Sequence, residues 1–67
     1  MSNLKQIREE KNITQAKLSE VSGVSLRMIQ YYEQGYKDIN KVQGITLHAL
    51  AQALECKIED ILELETT

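Results

Sequence analysis

The stretch VSGVSLRMIQYYEQG, residues 21–35, restricts the fold more than any other part of the chain. It holds one glycine near its start and closes on another. Glycine enters the left-handed conformation cheaply, so Gly23 breaks one helix and Gly35 ends the next. Ser25 is a preferred N-cap and starts the helix between them, over about residues 26–34. That helix is only about nine residues long. It carries Arg27, Gln30, Tyr31 and Gln34, more hydrogen-bonding groups than a buried helix accommodates.

Helical spacing recurs along the chain, and strand-like alternation is nowhere sustained. Leu4 and Ile7 share a face from about residue 3 to 11, with Ser2 or Asn3 as the cap. Thr14 caps a second helix, about 15–22, whose inward side is Leu18 and Val21. Residues 35–43, GYKDINKVQ, read as a loop with a helical turn near its end. A fourth helix, about 44–54, buries Leu47, Leu50, Ala51 and Leu54. A fifth, about 58–64, turns Ile58, Ile61 and Leu62 inward, with Glu59 and Asp60 at the positive end of its dipole. There is no proline, low-complexity segment or repeat. The expected fold class is all-α, as one compact domain over residues 1–67.

A 67-residue chain has a marginal core, and Cys56 is alone, so no disulfide within the chain supports it. No apolar run approaches the roughly 20 residues that span a bilayer, and Met1-Ser2-Asn3 lacks a signal pattern. The expectation is a soluble cytoplasmic protein. Net charge is −2 and unevenly placed. Residues 1–54 carry seven Lys and Arg against five Asp and Glu, while residues 55–67 carry Lys57 against five acids. A mildly basic body therefore has an acidic tail, expected to lie on the far side of any bound polyanion.

At about 100° per residue, Gln30, Tyr31 and Gln34 fall within roughly 60° of Arg27. Ile29, Tyr32 and Glu33 fall on the opposite side, and Leu26 and Met28 on the flanks. A solvated polar face is the plain alternative, since most surface helices have one. Two features weigh against it: the shortness of this helix, and the second short helix and glycine turn before it. The pair, about residues 14–34, has the form of a helix-turn-helix, whose second helix enters the DNA major groove.

The segment ITQAKLSEVSGVSLRMIQYYEQG resembles the Cro/lambda-repressor-type helix-turn-helix family of bacterial and phage transcriptional regulators, the XRE family. The flanking LKQIREEKN and ITLHALAQALECKIEDIL extend the resemblance over about residues 4–63. Its most specific parts are Thr14-Gln15, Leu18, Gly23, Ser25, Ile29, Glu33-x-Gly35 and Leu50-Ala51-x-x-Leu54. The resemblance implies a compact five-helix, lambda-repressor-like domain. It implies base reading by Leu26, Arg27, Gln30 and Tyr31. It also implies phosphate contact by Thr14, Gln15 and Ser25, with Gln34 beside them, and a second phosphate clamp at Tyr36, Lys37 and Lys41. The resemblance also implies that an arginine of the first helix pairs with the glutamate near the end of the third, and the matching residues here are Arg8 and Glu33. Leu26 departs from the family in being apolar and Ser19 in replacing a small alanine, and the 35–43 loop lacks the proline many relatives carry.

His48 has no cysteine or carboxylate cluster at ligand spacing, so no metal site is expected, and no cofactor. Cys56 reads as a small apolar filler with no base placed for it. With no Gly-rich phosphate loop and no catalytic pair, no enzyme is expected. The expected function is a stand-alone sequence-specific regulator, a repressor, that binds double-stranded DNA at a palindromic operator as a homodimer. The alternative is an antitoxin or other interaction module whose helical surface binds a protein partner.

Overall fold

Ser2, Thr14 and Ser25 begin three helices in the same way. Each hydroxyl accepts the backbone N–H three residues on, from Lys5 at 3.1 Å, Lys17 at 3.0 Å and Met28 at 3.2 Å. The computed structural model describes residues 2–63. Its elements are α1 (Asn3–Glu10), α2 (Gln15–Ser22), α3 (Leu26–Gln34), a single 3-10 turn (Ile39–Lys41), α4 (Gly44–Leu54) and α5 (Ile58–Ile61). Among the described residues the fold is all-α, with five helices.

Leu4, Leu18, Ile29, Leu50, Leu54 and Ile61 are fully buried, and Tyr32, Ile39, Leu47 and Ala51 complete the core. Every helix contributes at least one of them. Each fully buried aliphatic side chain stabilises the fold by about 1.5–3 kcal/mol relative to exposure. α2 lies between α3 and α4, while α1 packs on α3 and α5. This arrangement leaves one side of α3 free.

Helix ends follow local backbone chemistry. Gly23 (φ 78°) and Gly35 (φ 83°) take the left-handed conformation, as do Asn12 (φ 58°) and Glu55 (φ 54°). At Glu55 the chain closes α4 with bonds from Glu55 N–H to the Gln52 carbonyl, 3.1 Å, and from Cys56 N–H to that of Ala51, 2.9 Å. A glutamate makes the same turn that glycine usually makes, at a steric cost.

Three expectations are corrected. Val21 is 55 % exposed rather than inward. It lies one step around the helix from Leu18, and Val24, beyond the glycine turn, packs against the core in its place. α5 stops at Ile61 and not near residue 64, because Leu62 turns extended (φ −64°, ψ 146°). Position 64 lies outside the described residues. The acidic segment, residues 55–67, is expected on the far side of any bound polyanion, but one of its residues, Glu63, lies against the loop that carries Lys37 and Lys41. Asn40, in that loop, bonds the Glu63 backbone twice: Glu63 N–H donates to Asn40 Oδ1 at 2.8 Å, and Asn40 Nδ2 donates to the Glu63 carbonyl at 3.0 Å. Glu65, counted in the tail, lies outside the described residues.

Candidate nucleic-acid interface

The inward side of α3 is anchored in two ways. Ile29 and Tyr32 are buried in the core. One turn from Ile29, Glu33 meets Arg8 of α1: Nε donates to Oε2 at 2.7 Å and Nη2 to Oε1 at 3.0 Å. The third guanidinium nitrogen, Nη1, donates to the Ile13 carbonyl at 2.7 Å. The Glu33 side chain is 1 % exposed and that of Arg8 11 %. The hydrogen bond to Glu33 holds the Arg8 pKa above its ordinary value against the opposing effect of burial. Gln15, in the first turn of α2, also donates to Glu33 Oε1, at 2.9 Å. One carboxylate thus ties together α1, α2 and α3, fixing how α2 and α3 cross.

The opposite side of α3 is open. Arg27 and Gln34 are exposed, Gln30 and Tyr31 are half-buried, and Leu26 is 39 % exposed, so it lies outside the core. Thr14 and Ser25 are exposed at the starts of their helices. Each caps one N–H with its side chain, and its carbonyl takes the next, from Leu18 and Ile29 respectively. The N–H groups of the first two residues of each helix then have no partner within the helix. Partial positive charge at such an end favours an anion. The Gln15 carboxamide, committed on one N–H to Glu33, keeps its oxygen and second N–H for another contact.

Beyond α3 the chain folds back through Gly35. Tyr36 N–H reaches the Tyr31 carbonyl at 2.9 Å, and Gly35 N–H reaches that of Tyr32 at 3.3 Å. This hydrogen-bonded cap brings the residue after the glycine back over the last turn. The Tyr36 ring accordingly meets Tyr31 edge-on, with centroids 6.0 Å apart and planes at 80°. The Lys37 ammonium sits 6.0 Å from the centroid of the Tyr31 ring. A side chain expected to read bases and two expected to touch phosphate therefore form one cluster.

The rest of the loop is ordered without proline. Asp38 Oδ1 accepts the Asn40 N–H at 2.9 Å, Ile39 is buried, and Lys41 is exposed. Lys37 and Lys41 line one shallow hollow with Asp38 and the start of α4. The tie between Asn40 and the Glu63 backbone was not legible in the sequence. The position of Asn40 in an Asp-capped turn is the only local signal, and its partner lies 23 residues away.

Two residues set apart in the sequence have bland surroundings. His48 is exposed. Cys56 packs partly against the core, and burial, reinforced by Asp60, pushes its thiol pKa up, which disfavours the nucleophilic thiolate. Among the described residues, no helix is long and apolar enough to cross a membrane.

The open side of α3 thus combines a guanidinium, carboxamides and an aromatic ring with helix N-termini and lysines around it. Such a surface has donors for phosphate and side chains of the type that read base edges. No curated protein matches the chain. A helix-turn-helix family model matches residues 4–61. The chain belongs to this helix-turn-helix family, of the Cro/lambda-repressor type, and is a DNA-binding transcription-regulator domain.

Proposed function

We propose that the protein is a sequence-specific repressor that inserts α3 into the major groove of a palindromic operator and binds there as a homodimer. The observation that carries this reading is the division of α3: Ile29, Tyr32 and Glu33 hold one side, and Arg27, Gln30, Tyr31 and Gln34 occupy the other. Leu26 adds an apolar contact suited to a thymine methyl. Thr14, Gln15 and Ser25 on one flank, and Tyr36, Lys37 and Lys41 on the other, serve the phosphates. One short helix on a chain of net charge −2 binds weakly alone, and two copies reading related half-sites provide the affinity. Repression follows if the occupied operator overlaps a promoter. The setting is the cytoplasm of a bacterium, with the regulator encoded by the host or by a phage.

The experiment is selection of binding sites from random duplex DNA, followed by footprinting. A recovered palindromic motif protected on both halves is expected. The acidic balance favours a second reading, an antitoxin or other module that docks a protein on the α3 face. The two readings differ in salt dependence. Binding to random duplex falls steeply as salt rises only if phosphates are contacted. Failure to bind any duplex at low salt leaves the second reading.

A further inference from the structure

We propose that Asn40 is a positioning residue for DNA binding. Its carboxamide latches the loop that presents Lys37 and Lys41 onto the backbone of Glu63, making the segment after α5 part of the binding machinery. This rests on the DNA-binding reading above.

The turn at residues 39–41 has three restraints. Asp38 caps it, and Ile39 anchors it in the core. Asn40 takes up both backbone groups of Glu63, as a peptide group on a neighbouring strand would. The far side of the latch is itself held. Asn3 Nδ2 donates to the Leu62 carbonyl at 2.8 Å, and the Asn3 N–H to Glu63 Oε2 at 3.3 Å. Leu62 and Glu63 therefore bridge the first turn of α1 to the loop. That places the Glu63 carboxylate at the positive end of α1, where its charge is compensated beside a loop meant for phosphate. Glu63 also lines a hollow with Gln34 and Gly35, the end of α3.

A short exposed turn held only by its cap and Ile39 has freedom to swing. Ordering a lysine on such a turn then costs enough entropy that the bound protein gives up its phosphate contact. With the latch closed, Lys41 is presented from a fixed backbone before DNA arrives. Both bonds depend on the Asn40 carboxamide, one with the Glu63 N–H and one with the Glu63 carbonyl, and neither depends on the Glu63 charge.

Three variants of the full chain separate these effects. Asn40→Ala removes both bonds. Glu63→Pro removes the donor N–H, at a site where the extended Leu62 already suits a following proline. Glu63→Ala keeps the latch and removes the carboxylate. Binding to random duplex is measured against salt. Asn40→Ala and Glu63→Pro are each expected to flatten the log–log slope by about 0.9 for every phosphate the loop no longer reaches. Their combination should be no flatter than either alone, and Glu63→Ala should keep the wild-type slope. Slopes at wild type in both latch variants overturn the proposal, as does a flattened slope in Glu63→Ala alone. Hydrogen exchange without DNA reads the latch itself. The Lys41 and Val42 amides should exchange about tenfold faster in Asn40→Ala while Ile29 is unchanged. Wild-type exchange at those amides overturns the latch. A wild-type chain that binds no duplex at all, with the exchange result as expected, instead overturns the DNA reading and removes the role assigned to Asn40.

Discussion

Arg8 grips Glu33 through two nitrogens, 2.7 and 3.0 Å from the two carboxylate oxygens, in a site where the carboxylate is almost wholly out of water. Removing one partner strands the other charge. Glu33→Gln or Arg8→Met alone should each lower stability by about 3 kcal/mol. In a domain this small that shifts the melting midpoint by roughly 12 °C or more. The double change Arg8→Met with Glu33→Leu should cost less than the two singles together, because no charge is left unpaired. Melts of both single variants at the wild-type midpoint would remove the pair from any structural role.

Gln15 couples that pair to the face beside it. Its Nε2 donates to the same Glu33 oxygen that Arg8 Nη2 holds. Gln15→Ala should weaken binding to every duplex alike, since backbone contacts carry no sequence information. It should also lower stability by about 1 kcal/mol because the bond to Glu33 is gone. Gln15→Glu should be worse on both counts, as it sets a second carboxylate against Glu33. An altered sequence preference in Gln15→Ala, without general weakening, contradicts a phosphate role.

The helix boundaries around the reading unit were legible because their causes are local. Thr14 and Ser25 bond N–H groups three residues on, and Gly23 and Gly35 turn the chain with their own φ angles. The two sides of α3 were equally legible, since about 100° per residue separates Arg27 from Ile29 whatever the surroundings. What was not legible depends on pairs distant in the chain. Val21 reads as core by spacing alone, and only the sandwiching of α2 between α3 and α4 leaves it outside. α5 ends early where Leu62 turns extended, at the point where Asn3 and Asn40 bond the backbone of Leu62 and Glu63. The family resemblance makes Gln15, at the start of α2, a phosphate contact. Its bond to Glu33 follows from how α2 crosses α3.

Glu55 offers a change in the other direction. It holds φ 54° at the end of α4, a conformation that costs a side-chain-bearing residue about 1–2 kcal/mol. Both backbone bonds of the turn survive replacement by glycine. Glu55→Gly should therefore raise stability by about 1 kcal/mol, read as a higher urea midpoint with unchanged slope. An unchanged or lower midpoint would show that the turn is not strained.

Arg27 carries the sharpest prediction about sequence. It is exposed on the first turn of α3, on the same side as Gln30 and Tyr31 and away from the Arg8–Glu33 anchor. Arginine is the commonest bidentate partner of guanine, and glutamine pairs in the same way with adenine. Each half-site should therefore contain at least one G·C pair contacted by Arg27. Arg27→Ala should cost about 1–3 kcal/mol on the selected site and relax the preference at that pair alone. Lys37→Ala should instead weaken all duplexes, with one difference from an ordinary phosphate lysine. Its ammonium lies over the Tyr31 ring, so its removal should also blur the preference at the position proposed to meet Tyr31. Two chains are expected on half-sites about one helical turn apart, roughly 34 Å, and sedimentation on the selected duplex counts them. One chain at full affinity on an asymmetric half-site removes the homodimer from the proposal. An unchanged base preference in Arg27→Ala removes the arginine from the readout.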